Sequence, residues 1–246
     1  SAEYGVPILI HGGRGLPPIA DDLERLVSRH EDAQLIIAHA GVADLERLTK
    51  HFSERPGVYF DTSVFNFYDL LDLYGRVAPE QIVYASDYPY GQQPGSLYGT
   101  LQACAKMDFT PAQIHSVIGG TAQSITNGQP PTLSSPPGIR SFEQPVTLLR
   151  LHHYLAMATP MLWNRLPDTI GVMGLAINIC QSRRGRNPLI EEVYEYLKCA
   201  DDLWSLAVET ESKAESKEAA FATGFPIRRT VMQLLHMADI EILSQG

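Results

Sequence analysis

The sequence has few of the features that mark secreted, membrane or nucleic-acid-binding proteins. Its 246 residues include three cysteines without C-x-x-C spacing, Cys104, Cys180 and Cys199, which argues against a disulfide framework or a thiolate metal site. No apolar run approaches the roughly 18 residues of a membrane span, and no basic region precedes an N-terminal apolar stretch. The formal net charge of −9 argues against nucleic acid as a partner, because phosphate binding needs a basic surface. We therefore expect a cytoplasmic protein without membrane or nucleic-acid partners.

A proline-rich stretch divides the sequence. Asn127 to Gly138 contains four prolines, two glycines and no charged residue. Such a stretch cannot continue a helix or enter a central strand, which is typical of a linker. We predict one domain over residues 1–126, a linker over 127–139 and a second domain over 140–246.

Short apolar runs alternate with amphipathic segments in the first half. The runs span Val6–His11, Ala33–His39, Gly57–Ser63 and Gln81–Asp87. Their nearly continuous apolar character is typical of strands buried on both faces. Their starts are 24 to 27 residues apart, close to the roughly 30 residues of one unit in a βα barrel. This order predicts a parallel sheet with right-handed crossovers.

Polar side chains stand where these runs end. Three runs end in His11, His39 and Asp87, and Asp61 lies near the end of the remaining one. Taken singly, each residue is explained as well by a structural hydrogen bond or a helix cap, and for Asp61 we expect such a capping or orienting role. Together they predict a site, because ligand chemistry in parallel α/β folds gathers at the carboxyl ends of strands. Imidazoles and a carboxylate on one rim suit a hydrolytic divalent metal.

Four motifs resemble a known family. IHGG at Ile10, LIIAHAG at Leu35, VYFDTS at Val58 and YASDYPYG at Tyr84 resemble the last four strands of the amidohydrolase superfamily. The branch is the amidohydrolase-related one (amidohydrolase family 2), which contains metal-dependent hydrolases and aromatic-acid decarboxylases. The resemblance covers residues 4 to about 126. It implies an α/β fold, a (β/α) barrel of the TIM type with strands five to eight present here. The mainly helical domain that we expect after it is predicted from helical spacing alone.

The resemblance also implies roles for individual residues. His11 and Asp87, at the ends of strands five and eight, are expected to ligate a divalent metal, most often Zn²⁺ in this family. The metal would lower the pKa of a bound water from 15.7 towards about 7, and Asp87 would accept the proton of that water. His39, at the end of strand six, would polarise or protonate the substrate. Arg14 either clamps a substrate carboxylate or is a solvated loop arginine.

One expected motif is absent. The family's first strand normally supplies H-x-H as two further metal ligands, and this sequence contains no H-x-H. A half barrel also leaves two unpaired sheet edges and an open interior. We therefore expect the missing half to come from upstream sequence of a longer protein or from another chain, and homo-oligomer formation is left open.

Three functions follow from these residues. The leading one is a metal-dependent hydrolase that acts on a small substrate bearing a carboxylate, an amide or an ester. The second is decarboxylation of an aromatic acid at the same site, which the residues do not distinguish from hydrolysis. The third, favoured by the absent H-x-H, is a non-catalytic barrel remnant whose helical module binds a partner protein.

Helical patterns fill the second half. Apolar stripes with helical spacing run from Ile190 to Val208 and from Val231 to Ile242, and helices are also expected around 143–158 and 168–182. The segment ESKAESKEAA over 211–220 predicts a solvated helix face or a mobile connection. The sequence does not reveal the role of this half.

Overall fold

The computed structural model describes residues 3–13, 16–63, 66–88, 90–91, 93–164, 166, 169–185 and 187–245. Contacts between backbone positions divide the chain into two compact units, Ser1–Ser141 and Phe142–Gly246. The first unit is a mixed α/β structure, and the second consists of helices.

The first unit is built on a parallel sheet. The strands are β1 (Ile8–His11), β2 (Leu35–Ala38), β3 (Val58–Asp61) and β4 (Ile82–Val83). The helices are α1 (Ala20–Arg29), α2 (Leu45–Phe52), α3 (Phe67–Arg76), α4 (Gln93–Lys106), α5 (Pro111–His115) and α6 (Thr121–Thr126). The sheet order is β1-β2-β3-β4, and every neighbouring pair is parallel. The predicted parallel sheet with intervening helices is therefore confirmed.

Burial differs sharply between the inner strands and β1. The β2 and β3 side chains Ile37 and Phe60 are fully buried, whereas Ile8 and Leu9 of β1 are 44% and 64% exposed. In the part of the chain that the structure describes, β1 pairs with β2 and with no strand on its outer edge. The expectation that every run is buried on both faces is therefore wrong for β1. An apolar run predicts a strand, but its burial also depends on other elements packing beside it.

Strand β4 is shorter than the apolar run that predicted it. The backbone N–H of Tyr84 donates to the carbonyl of Val117 at 3.0 Å, and that of Ala85 donates to the Thr62 hydroxyl at 3.0 Å. Neither N–H is therefore available to a neighbouring strand. After Val83 these N–H groups bond to the Thr62 side chain and to the π-helical turn Ser116–Gly120 between α5 and α6 instead of to a strand, so the segment that leads to Asp87 is a loop.

The proline-rich stretch is hydrogen-bonded to the first unit. The structure has neither helix nor strand between residues 129 and 145. The N–H of Gly138 donates to the carbonyl of Gly75 at 3.0 Å, and the N–H and hydroxyl of Ser134 both donate to Glu80. A Cβ atom on Gly75 would lie 2.9 Å from the Gly138 oxygen. The stretch therefore packs closely against α3 and the residues that follow it.

The second unit packs four long helices around one core. They are α7 (Val146–Trp163), α8 (Thr169–Gln181), α9 (Pro188–Ser212) and α10 (Lys217–Ser244). The core contains apolar residues from every helix, among them Leu151, Met173, Leu197 and Leu235. Among the described residues of this unit none lies in a strand, and none of the described helices is long and apolar enough to cross a bilayer.

The stripes predicted in the second half lie on α9 and α10. The α9 stripe is buried from Ile190 as far as Ala200, Trp204 is half-buried, and Val208 at its end is 46% exposed. The charged segment over 211–220 contains the break between the two helices, and the Ser216 side chain caps α10 by accepting from the N–H of Ala219 at 3.1 Å.

Candidate active site at the strand ends

His11 and His39 meet where β1 and β2 end. His11 is the last residue of β1 and pairs in register with Ala38, the residue before His39. Nδ1 of His11 lies 3.2 Å from Nε2 of His39, and the rings are nearly perpendicular with centroids 4.8 Å apart. Adjacent parallel strands thus bring these two predicted site residues into contact.

Asp61 and Ser63 hold His39 from the end of β3. The backbone N–H of His39 donates to Asp61 Oδ1 at 2.8 Å, and its ring Nδ1 lies 2.9 Å from the Ser63 carbonyl oxygen. The Ser63 hydroxyl donates to Asp61, as does the Ser63 backbone N–H at 3.0 Å. Both residues are buried, so the His39 ring is oriented from the protein interior.

These contacts assign the tautomers of both imidazoles when they are neutral. A carbonyl oxygen only accepts, so Nδ1 of His39 carries the proton, and a neutral imidazole has one ring proton. Nε2 of His39 is then an acceptor, and Nδ1 of His11 donates to it across the 3.2 Å contact. The lone pair of Nε2 on His11 is left for a cation or a substrate.

The backbone after β2 is strained. His39 and Ala40 have φ values of 56° and 49°, in the left-handed region, and Gly41 follows with 63°. A non-glycine residue in this region costs about 1–2 kcal/mol. The hydrogen bond from the His39 N–H to buried Asp61 helps to hold the turn. Strain of this kind clusters at ligand sites, which favours a functional role for the turn.

Gly12 and Gly13 leave room for the two imidazoles and the turn. A Cβ atom on Gly13 would lie 2.7 Å from Cε1 and Nε2 of His11 and 3.0 Å from Cδ2 of His39. A Cβ atom on Gly12 would lie 2.8 Å from the Gly41 Cα. The H-G-G sequence is therefore a steric requirement of the site.

Asp87 follows β4 in a turn of its own. It has a φ of 54°, is half-buried, and its carbonyl accepts from the N–H of Gly91 at 2.8 Å. Within the described residues, its carboxylate does not form a group of three ligand atoms within 4.8 Å together with the two histidines. The metal and base roles of Asp87 stay predictions, and Arg14 lies outside the described residues.

A cavity of about 360 Å³ lies at the other end of the strands. Its lining includes Ile8 and Leu35, the first residues of β1 and β2, together with Leu26 and His30. His11 and His39 stand at the opposite ends of the same strands. This cavity is therefore separate from the strand-end site.

Ser63 is the site residue that sequence reasoning missed. It stands two positions after Asp61 in the V-Y-F-D-T-S motif, and that spacing was the available signal. The orienting role expected for Asp61 is confirmed, because its carboxylate accepts from both His39 and Ser63.

The comparisons with known proteins agree with the strand-end motifs. A family model described as amidohydrolase matches residues 1–125, about half of the chain. A comparison with curated proteins finds no match. The matched segment contains all four strands and every residue of the strand-end site. The chain therefore belongs to the amidohydrolase family.

Proposed function

We propose that the chain is part of a metal-dependent hydrolase that uses metal-activated water to attack a small substrate bearing a carboxylate, an amide or an ester. The observation that carries this proposal is the contact between His11 and His39, because it leaves Nε2 of His11 as a free ligand atom. Membership of the amidohydrolase family supports the reaction class.

The residues present suit a divalent metal as part of its ligand set. An imidazole nitrogen from His11 and a carboxylate from Asp87 are ligands that Zn²⁺ accepts, and a hydrolytic zinc site uses three protein ligands. When bound, the ion would lower the pKa of a coordinated water from 15.7 to about 7. Since the strand ends offer these two ligands among the described residues, we infer that the others come from outside the four strands.

The remaining residues would handle protons and position the substrate. Asp87 would accept the proton of the attacking water as a general base. His39 is held by Asp61 and Ser63 through its backbone N–H and Nδ1. It would polarise or protonate the substrate through Nε2, which must then carry a proton and turn from His11 to the substrate. Arg14 would clamp a substrate carboxylate through its guanidinium fork.

We infer that the sheet is strands five to eight of a (β/α) barrel of the TIM type. The open edge of β1 supports this, because Ile8 and Leu9 expose apolar side chains that a further strand would cover. The completing half would come from another part of the protein or from another chain, including a second copy. It would also supply the missing metal ligands.

We propose a cytoplasmic location on the basis of the thiols. All three cysteines are free. Burial raises the pKa of Cys104 and of Cys180 to about 12, so neither is a thiolate at neutral pH. Free thiols of this kind suit a reducing compartment.

The test measures metal and activity together in the native protein that contains this chain. Metal content comes from elemental analysis, and a panel of carboxylate-bearing amides, esters and aromatic acids is assayed for hydrolysis and for CO₂ release. We expect about one divalent ion per site and loss of activity with a chelator. Asp87→Asn should lower the rate by about 10²–10⁴-fold, and His11→Ala should also lower the metal content. His115→Ala, at an exposed histidine of α5, is the matched control.

The outcomes separate the three functions. Hydrolysis that depends on Asp87 supports the proposal. Release of CO₂ without hydrolysis would assign decarboxylation to the same site. A protein that holds no metal and turns over no substrate would be a non-catalytic remnant, and full activity of Asp87→Asn with unchanged metal content would contradict the mechanism.

A further inference from the structure

A second cluster of metal-ligating side chains lies on the helices, away from the strand ends. Asp21 and Glu24 stand three residues apart on α1 and so share one helix face, and His51 faces them from the last turn of α2. One ligand atom from each lies within 4.8 Å of the other two. Among the described residues, these three form the one group of His, Cys, Asp or Glu side chains whose ligand atoms all lie within 4.8 Å of one another.

The His51 ring is flanked by a carboxylate on each side. Nδ1 lies 3.2 Å from Glu24 Oε1, and Nε2 lies 3.8 Å from Asp21 Oδ1. Carboxylates only accept, and a neutral imidazole donates from one nitrogen alone. When His51 is neutral, one ring nitrogen therefore turns its lone pair towards a carboxylate oxygen. A cation bound between that nitrogen and the carboxylate removes the repulsion.

Neighbouring charged residues orient Asp21 and set the net charge around the cluster. The Arg47 guanidinium donates to Oδ2 of Asp21, which leaves Oδ1 directed at His51. Asp44 lies close enough to interact electrostatically with Arg47. The three carboxylates of Asp21, Glu24 and Asp44 and the one guanidinium leave a local charge of about −2, which a divalent ion neutralises.

We propose that Asp21, Glu24 and His51 form a binding site for a transition-metal cation, with Zn²⁺ as the ion that fits best. Imidazole together with carboxylates suits Zn²⁺ rather than Ca²⁺ or Mg²⁺, which take oxygen ligands. Zn–ligand distances of about 2.0–2.2 Å in a tetrahedron place the ligand atoms about 3.4 Å apart, close to the 3.2 Å between Nδ1 and Oε1.

The site is open and joins two helices. The Asp21 side chain is 62% exposed, so it can move inwards by a rotamer adjustment, and water can complete the coordination shell. An ion held there would link α1 to α2. It would stabilise the first unit by RT ln(1 + L/Kd), where L is the free ion concentration, and it would act independently of the hydrolytic site.

The test is a Zn²⁺ titration of the chain by calorimetry, carried out in a His11→Ala background so that the strand-end histidine does not contribute. We expect one ion to bind and Tm to rise with saturating Zn²⁺. His51→Ala should weaken binding by about tenfold or more and remove the rise in Tm. Glu24→Gln should also weaken binding, since it removes the ligand charge while it keeps the size of the side chain. His30→Ala, at an exposed histidine at the end of α1, is the control and should bind as before.

A second measurement locates the ion. Paramagnetic Co²⁺ should broaden the amide resonances of the first turns of α1 and the last turn of α2 in the parent protein, and leave them sharp in His51→Ala. Equal Zn²⁺ affinity of His51→Ala and its parent would overturn the proposal. So would a parent that binds no ion, since the cluster would then be an ion pair between a protonated His51 and its carboxylates.

Discussion

Nδ1 of His11 lies 3.2 Å from Nε2 of His39, and this contact joins the ends of the first two strands. His39 is in turn held by Asp61 and Ser63 at the end of the third strand. One chain of hydrogen bonds thus runs across three strand ends and finishes at the free Nε2 of His11. Changes in β3 should therefore alter chemistry at β1.

Asp61→Ala should destabilise the first unit. The substitution removes the buried acceptor of the Ser63 N–H and hydroxyl and leaves the His39 N–H with the Ser63 hydroxyl oxygen alone, at 3.2 Å, which we expect to lower the free energy of unfolding by about 2–4 kcal/mol. Amide hydrogen exchange of β2 and β3 is the suitable measurement, because both tryptophans lie in the second unit. Asp61→Asn keeps one acceptor oxygen and should lose less. Unchanged protection in Asp61→Ala would show that the network is not structural.

Gly13→Ala should impair the site without unfolding the protein. The new methyl group would lie 2.7 Å from the His11 ring, so the two imidazoles must separate. We expect activity of the native protein to fall at least about tenfold and the imidazole NMR signals to shift. Gly171→Ala in α8, where a Cβ meets nothing within 4 Å, is the control and should leave activity intact. Wild-type signals in Gly13→Ala would contradict the packing described for the H-G-G loop.

Leu9→Lys should reduce self-association of the isolated chain. Leu9 is an exposed apolar residue on the open edge of the sheet, and a lysine there opposes strand addition. Ile139 is equally exposed, at 64%, but lies outside the sheet, so Ile139→Lys is a matched control. Sedimentation velocity compares the two variants with the parent. Equal association of Leu9→Lys and the parent would argue that the β1 edge does not mediate contact.

His236→Gln should flatten the loss of stability of the second unit at acidic pH. Burial lowers the pKa of His236 below 6.5, although Asp239 nearby opposes the shift. The unfolded chain therefore takes up this proton first, and stability falls as the pH drops through about 6.5. The variant removes that contribution. Urea unfolding followed by tryptophan fluorescence at pH 5.5 and pH 7.5 measures the difference, and an identical pH slope in variant and parent would refute it.

His152→Gln should have the opposite pH dependence. Nδ1 of His152 lies 2.8 Å from Asp239 Oδ1, and this hydrogen bond raises the pKa of His152 above 6.5. Its contribution is complete below pH 6.5 and is lost as the pH rises through the folded-state pKa. The variant should therefore lose more stability at pH 6 than at pH 8 in the same assay. A larger loss at pH 8 would show that the pair does not depend on a protonated imidazole.

Local patterns in the sequence were enough to predict a parallel sheet and the polar residues at the carboxyl ends of its strands. Apolar runs alternate with amphipathic segments, and this alternation leads to parallel strands with helical crossovers. Because parallel strands have their carboxyl ends at the same edge of the sheet, the sequence predicts that His11 and His39 lie close together. The second-half helices follow equally from apolar spacing, which reflects one buried face per helix.

Other features depend on contacts that no local pattern encodes. The exposure of Leu9 depends on whether a strand lies beside β1, and the early end of β4 depends on the hydroxyl of Thr62 and the carbonyl of Val117. The role of Ser63 likewise emerges only where β3 meets His39.

The sequence by itself determined the alternation of strands and helices and the polar character of the strand ends, because both depend on residues close together in the chain. Only the tertiary structure decided which ring nitrogen stays free on His11 and that His51 faces Asp21 and Glu24. These relationships join residues 22 to 30 positions apart through the packing of one element on another, and packing depends on the shape and burial of both partners together.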